Sequence, residues 1–550
     1  MQPGRIVGDY STRADGKDIA GAAIRMSLGT LSSRILGLFR DLLLAALFGR
    51  VFTDAFAVAF RLPNIARRVL GEGSVGAAFT PQYTEAKDRQ SGDSAQFARV
   101  IGAFLALGAA VITAVVIVLM PAILKVIVTR SAHFSNNPEA FLAVVTMGRV
   151  MFGYFFFATL YAYFSALAQA HGQFFRPAMA AAAFNAVIIA GLLLAKYYFA
   201  VEIQPQVVAF SVVFGGVIQC LITVAALDAG TRRNILKPQF AVSELRQYGP
   251  RFMAQLLPSV ASLSGGQAVT LLNIFFAAQF TIGSLSYMYL ADRLFELPLS
   301  LIAVSLGSAL LPRLSNLYSR KDHVLYSTTY SEQLLNLLSL ILPSSIGLYI
   351  LATPISVALF EHGQFRHPEA LLTAELIKIN AITLVFVAIS RLALAALHSG
   401  QFYRAAARAT LLGLAVHPVF AVLVLHYHPD ILGLLYATLA TTVVVCTLLQ
   451  IELYRNLKLR VAWSGLAKSL ALPNFALLIS TVALAYLFGF TDGQLTKGNN
   501  LMHHFRYFGT LMVIIFASAA IYIQLCRKKR IGYFAHLDFY KILDRLRKKQ

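Results

Sequence analysis

Apolar runs of about 20 residues or more, the length that crosses a bilayer, follow one another along almost the whole chain. Short stretches rich in Gly, Pro, Lys, Arg and Asp separate them. Read against those breakers, the pattern predicts fourteen transmembrane helices, near 26–48, 54–84, 97–128, 139–169, 174–197, 206–228, 247–278, 282–312, 326–359, 369–398, 404–426, 430–453, 466–489 and 503–526. Several exceed 20 residues and contain Pro63, Pro258, Pro298 or Pro343, so tilted or bent helices are expected. The fold class expected is an all-α polytopic membrane protein.

The alternation of charge tests that count independently. Loops after the even-numbered spans hold 18 Lys and Arg, whereas loops after the odd-numbered ones hold 5. The positive-inside rule then places the even loops and both termini in the cytoplasm. A miscounted span would scramble the alternation.

An internal repeat organises the spans. Gly172-Gln173-Phe174-Phe175-Arg176 recurs as Gly400-Gln401-Phe402-Tyr403-Arg404, and Arg61-Leu62 leading to Pro81 is matched by Arg293-Leu294 leading to Pro312. Six spans separate the copies. Both halves therefore cross in the same sense, the parallel-repeat plan of one class of secondary transporter. The expected division is a cytoplasmic extension (1–25), an N-lobe of six helices (26–230), a pseudo-symmetric C-lobe of six (231–460), two additional helices (461–526) and a basic tail (527–550).

Composition narrows the function classes. The 550 residues are 58% hydrophobic and 13% charged, far from the balance of a soluble enzyme. The net charge of +22 sits largely on the cytoplasmic side, where anionic lipids attract it, and nucleic acid is not needed to explain it. The tail from Arg527 carries nine Lys or Arg with Ile531, Phe534, Leu537, Tyr540, Leu543 and Leu546 between them, and reads as an amphipathic helix on the inner leaflet. Residues 1–24 lack the apolar core of a cleavable signal and are expected to be retained. Cys220, Cys446 and Cys526 form no paired motif, and the histidines no ligand set. No phosphate-binding loop, HExxH or GxSxG occurs, so neither a nucleotide-driven pump nor a familiar hydrolase is visible and no cofactor is expected. Any active transport would draw on an ion gradient, the membrane potential or consumption of the product.

The informative residues are ionisable groups inside predicted spans, where an unpaired charge is costly. The first span carries Arg34, Arg40 and Asp41. The second carries Asp54, Arg61, Pro63, Asn64, Arg67, Arg68 and Glu72, and the eighth Asp292, Arg293, Glu296 and Pro298. Ion pairing accounts readily for Arg61, Arg68 with Glu72, Arg149, Lys378 and Arg391. Arg34, Arg40, Arg67 and Arg293 outnumber the acids near them and are expected to bind an anion. Guanidinium forks suit phosphate oxygens.

Ser33-Arg34-x-x-Gly37-x-x-Arg40-Asp41, Asp54-Ala55-Phe56, Pro63-Asn64-x-x-Arg67-Arg68 and Ala78-Phe79-x-Pro81 resemble the N-terminal signature of the MurJ/MviN lipid II flippases. Ala291-Asp292-Arg293-Leu294-x-Glu296-x-Pro298 resembles that family's second signature. The resemblance implies the multidrug/oligosaccharidyl-lipid/polysaccharide exporter fold, a cationic cavity between two lobes and a lipid-tail groove formed by the last two helices. It implies a transporter of lipid II for peptidoglycan and cell wall biogenesis in a bacterial inner membrane, with other cell-wall synthesis proteins as candidate partners. Arg34, Arg40, Arg67 and Arg293 match its substrate-binding arginines, and Asp41, Asp54, Asp292 and Glu296 nearby acidic positions. Residues 1–24 and the basic tail lie outside the pattern.

Three rivals remain open. An exporter of another lipid-linked glycan, or a drug/ion antiporter, could use the same fold, though antiport of cationic drugs calls for an acidic cavity. A membrane-embedded polyprenyl-phosphate transferase would also need arginines, together with a catalytic carboxylate pair or metal site that the loops do not offer. A scaffold protein would leave every intramembrane charge paired.

Overall fold

The computed structural model describes residues 12–69, 74–88, 93–128, 138–235, 242–490, 501–532 and 534. Every regular element among them is helical, as the apolar periodicity requires of a chain in lipid, where each backbone polar group must be satisfied internally. The chain divides into two compact units, Met1–Ile282 and Gly283–Gln550.

The first unit contains α1 (Thr12–Leu47), α2 (Arg50–Val69), α3 (Val75–Asp88), α4 (Asp93–Val128), α5 (Pro138–Phe152), α6 (Tyr154–Ala170), α7 (Phe175–Tyr198), α8 (Gln204–Val224), α9 (Ala229–Ile235) and α10 (Val242–Ala277). Helix α1 packs on α7 and α7 on α8. Small residues permit the close approach: a Cβ added at Gly191 would lie 2.2 Å from the Cβ of Ser211. Phe79, Phe97, Tyr163 and Leu167 build this unit's aromatic-rich core, and α10 packs against α3 and α4.

The second unit contains α11 (Ser284–Pro298), a π-helical stretch (Leu299–Val304), α12 (Ser305–Ser319), α13 (His323–Ile350), α14 (Ala352–Phe360), α15 (His367–Ser399), α16 (Tyr403–Tyr427), α17 (Ile431–Leu457), α18 (Trp463–Leu487) and α19 (Leu501–Lys528). Helix α15 is its hub, packed by α11, α13 and α17, while α18 packs on α13 and α19.

Ten helices among the described residues are long and apolar enough to span a membrane. Helices also cover the remaining four predicted spans, the first, second, seventh and eighth, but they are not among the ten. Three of these four carry the ionisable residues singled out from the sequence, which lower mean apolarity. The predicted second span is helical over Arg50–Val69 and Val75–Asp88, and residues 70–73 between them lie outside the described residues. The Val69 carbonyl accepts from the Ser74 hydroxyl at 2.6 Å.

Helix α1 starts at Thr12, about 14 residues before the predicted boundary. Its 36 residues would reach roughly 54 Å at 1.5 Å per residue, beyond the hydrocarbon thickness. The first helix thus runs back through the predicted extension as far as Thr12, and residues 1–11 lie outside the described residues.

The repeated Gly-Gln-Phe segments make the same helix-ending turn. Gln173 N–H donates to Ala168 O and Phe402 N–H to Leu397 O, both at 2.8 Å, with Gly172 at φ +74° and Gln401 at φ +63°. The left-handed residue is glycine in one copy and glutamine in the other, so the second turn carries strain of order 1 kcal/mol that the first avoids.

The start of the basic tail departs from expectation. Arg530 (φ +52°) and Gly532 (φ +55°) end the helix, and Ile531 and Phe534 bury themselves in the second unit's core, Phe534 meeting the Tyr522 ring edge-on at 6.0 Å. These two residues therefore do not lie on the leaflet as an amphipathic face. Two left-handed residues within three positions cannot continue a helix. Residues 535–550, with Leu537, Tyr540, Leu543 and Leu546, lie outside the described residues.

Candidate functional site

The ionisable groups separate into two environments. In the first unit Arg40 and Asp41 are 3% and 0% exposed. Adjacent helix positions point about 100° apart, yet the long Arg40 side chain folds back so that Nε and Nη2 donate to Asp41 Oδ1 at 2.9 and 2.7 Å. Nη1 donates to Asn185 Oδ1 on α7 at 3.0 Å, and the guanidinium lies 5.0 Å from the Phe60 ring centroid of α2. Asn185 Nδ2 in turn donates to the Ser33 carbonyl at 3.0 Å. One charged group thus ties α1 to both α7 and α2. A buried pair of this kind is costly to break because it leaves the other charge desolvated.

At 100° per residue Arg34, Gly37 and Asp41 share one face of α1, and that face splits in the same way. Gly37 abuts the Asn185 amide and Asp41 is buried, whereas Arg34 stays half-buried. On α2, Asp54 is 3% exposed. Arg67 is half-buried, with Nε and Nη2 donating to Asn64 Oδ1, one turn back, at 3.2 and 3.1 Å. Asn64 orients that guanidinium without neutralising it. Glu72 lies outside the described residues, as does any pairing of it with Arg68.

In the second unit the pattern loosens. Arg293 Nη1 lies 3.4 Å from Glu296 Oε2, with side chains 18% and 28% exposed, a longer and wetter contact than that of Arg40. Nη2 donates to the Tyr289 hydroxyl, and the guanidinium stacks 4.5 Å from the Tyr289 ring centroid. Asp292 Oδ1 accepts from Asn380 Nδ2 of α15 at 3.4 Å. Directly beyond Glu296 the helix changes form. Pro298 lacks a donor, and the π-helical stretch begins at Leu299, a distortion frequent at functional sites. The Ser300 hydroxyl donates to the Glu296 carbonyl at 2.6 Å, supplying a partner to backbone that the irregularity loosens.

Lys378, for which ion pairing was the simpler reading, donates to Glu375 at 2.6 Å on the same helix, and Arg149 and Arg391 are exposed. Sequence reasoning missed Asn185, Asn380 and Tyr289. Asn185 was detectable: it stands almost alone in the middle of a long apolar helix, where an amide needs a specific partner, whereas Asn380 shares α15 with Glu375, Lys378 and Arg391. Tyr289 carried no signal beyond its i, i+4 spacing from Arg293.

Outside the membrane-spanning segments, His171 Nε2 is hydrogen-bonded to the Tyr83 hydroxyl at 2.8 Å, joining the turn before α7 to α3. Burial, and then nearby Lys87, hold its pKa below the ordinary 6.5, while Asp228 opposes them.

Comparison with known proteins places this arrangement. The family model described as lipid II flippase MurJ matches residues 44–506. A probable lipid II flippase MurJ of Bdellovibrio bacteriovorus is 36% identical over 407 residues, covering 74% of this chain and 76% of that one. The lipid II flippase MurJ of Burkholderia cenocepacia is 31% identical, covering 66% and 70%. Among solved structures, a lipid II flippase MurJ in an inward closed conformation superposes with a TM-score of 0.71 at 21% identity, covering 91% of this chain and 99% of that one. An inward-facing multidrug resistance MATE family transporter gives a TM-score of 0.64 at 15% identity, covering 81% and 99%, a likeness of fold alone. The match covers most of the chain, with Asp54, Arg67 and Arg293 inside it and Arg34, Arg40 and Asp41 ahead of its first residue, and on its extent the chain belongs to the MurJ family of lipid II flippases.

Proposed function

We propose that this transporter, which is not an enzyme, moves lipid II, the undecaprenyl-diphosphate-linked precursor of peptidoglycan, from the cytoplasmic to the outer leaflet of the inner membrane. The family match over residues 44–506 carries the reading. In it, the guanidinium groups of Arg34, Arg67 and Arg293 receive the diphosphate. Each is only partly buried, and planar forks bind phosphate oxygens in pairs. Arg40 positions rather than binds: its bonds to Asp41 and Asn185 fix the helix that carries Arg34. Asp54, deeply buried on α2, belongs with this framework.

Release requires that binding stay moderate. Glu296 competes for Arg293, and Asp292 lies beside it in sequence, so these acids limit how tightly the anion is held. Fourteen spans, cytoplasmic termini and alternating access complete the proposal. The last two spans, α18 and α19, accompany the polyprenyl chain; Phe475 and Phe516 on them are 61% and 69% exposed, as suits contact with lipid.

Depletion of the protein in its host tests the reading. Lipid II should become inaccessible to a probe outside the membrane while its synthesis continues, and the wild-type chain should restore access. Unchanged access after depletion would rule the function out.

A further inference from the structure

The turn between α17 and α18 has a composition that the transport reading does not use. Lys458 adopts φ +53° and closes α17, its N–H donating to the Tyr454 carbonyl at 3.1 Å. The next residue, Leu459, is 6% exposed and inserts into the second unit's core. Lys458 and Arg460, flanking that anchor in sequence, both lie beside one tyrosine. Lys458 Nζ lies 5.9 Å and Arg460 Cζ 5.6 Å from the Tyr454 ring centroid, and Arg460 Nη2 donates to the Tyr454 hydroxyl at 3.3 Å. Tyr454 and Trp463 are 45% and 44% exposed. Tyrosine and tryptophan at a span's end favour the headgroup level of a bilayer, where an apolar ring and a polar edge are both accommodated.

The charge around this turn is one-sided. Arg404, Arg408, Arg455, Lys458, Arg460 and Lys468 are all exposed. Glu452 is the one acidic residue within 399–408 and 452–468, and it is buried, accepting from Arg408 at 3.1 Å and Asn456 at 2.8 Å. It does not neutralise Lys458 or Arg460 directly. Beyond Trp463, helix α18 presents Leu472 and Phe475, 47% and 61% exposed. At 1.5 Å per residue they lie roughly 13 and 18 Å further along the helix, a distance suited to acyl chains.

We propose that this turn is a binding site for an anionic phospholipid. Its phosphodiester is held by Lys458 and Arg460, its headgroup rests against Tyr454 and Trp463, and its acyl chains run along the Leu472–Phe475 side of α18. The charge complementarity and the exposed apolar residues further along α18 select a lipid rather than a soluble anion. The proposal does not depend on the cargo assignment.

Trp463 is the only tryptophan in the 550 residues, so its fluorescence reports on this turn without labelling. The full chain would be reconstituted in phosphatidylcholine bilayers, with brominated phosphatidylglycerol or brominated phosphatidylcholine added at equal mole fraction as contact quenchers. Brominated phosphatidylglycerol should quench Trp463 several-fold more effectively, and high salt should narrow the difference. The Lys458→Gln/Arg460→Gln variant should lose the preference while keeping wild-type quenching by the zwitterionic lipid, which shows that the turn is still folded. Equal quenching by the two lipids, or a preference that survives the double substitution, would overturn the proposal. So would displacement of the lipid by inorganic pyrophosphate, which would make the site one for soluble anions.

Discussion

Arg40, in the first unit, and Arg293, in the second, carry the same charge on membrane-embedded helices, yet they are held differently. Arg40 is sealed at 3% exposure, with two bonds of 2.9 and 2.7 Å to one carboxylate and a third to Asn185. Arg293 stacks on Tyr289, meets Glu296 at 3.4 Å and keeps 18% of its side chain accessible. Residue type does not assign the role; the closeness of the acid and the burial of the pair do. A sealed pair stabilises a helix junction. A loosely held guanidinium can exchange one oxyanion for another at low cost.

The sharpest way to break this comparison is to remove each arginine in turn. Arg40→Ala should cost about 3–5 kcal/mol of stability, since it strands the buried Asp41 carboxylate. Thermal unfolding in detergent should show it, and pairing the change with Asp41→Asn should recover most of the loss. Arg293→Ala should leave stability within about 1 kcal/mol. It should reduce transport at matched protein level about tenfold or more, the scale of one lost charge-assisted contact. Equal effects of both variants on both readouts would erase the distinction.

The supporting asparagines sharpen it further. Asn185→Ala should destabilise by about 1–3 kcal/mol, because buried donors on Arg40 lose their acceptor. Asn380→Ala, whose bond to the half-buried Asp292 is long at 3.4 Å, should cost less than half as much in the same unfolding assay. Glu296→Gln should tighten anion binding a few-fold and slow release, as removing a competing charge implies, with little change in stability. Slower release without tighter binding would argue against competition.

The smallest effect concerns pH at His171. Burial depresses its pKa, so the neutral ring is favoured in the native state and its contribution is complete above the ordinary value of 6.5. It is lost as pH falls through the lowered value. Hydrogen exchange around α3, corrected for the intrinsic pH dependence of amide exchange, should quicken as pH falls below the ordinary histidine value in the wild type. His171→Gln should flatten that dependence.

Much of the fold was legible because lipid forces backbone satisfaction into helices and leaves a long apolar period behind. The charged eighth span is one that sequence reading drew incompletely. It changes to a π-helical stretch after Pro298. The change follows a proline, which lacks a donor for the regular ladder. Within the site, the arginines could be found from their cost in a membrane, but the pairing of Arg40 could not. Its acid is the very next residue, a spacing that on an ideal helix points elsewhere, and its second partner is 145 positions away. Likewise Ile531 and Phe534 fit an amphipathic tail by period, and only the left-handed Arg530 and Gly532 turn them inward.

Equilibrium binding of lipid II to the purified chain in bilayer discs, compared among wild type, Arg293→Lys and Arg293→Ala, bears most directly on the claim that a loosely held guanidinium receives the diphosphate. The account predicts an affinity loss of about tenfold or more for Arg293→Ala and a partial loss for Arg293→Lys, which keeps the charge without the fork. Wild-type affinity in Arg293→Ala, with the protein folded, would contradict it.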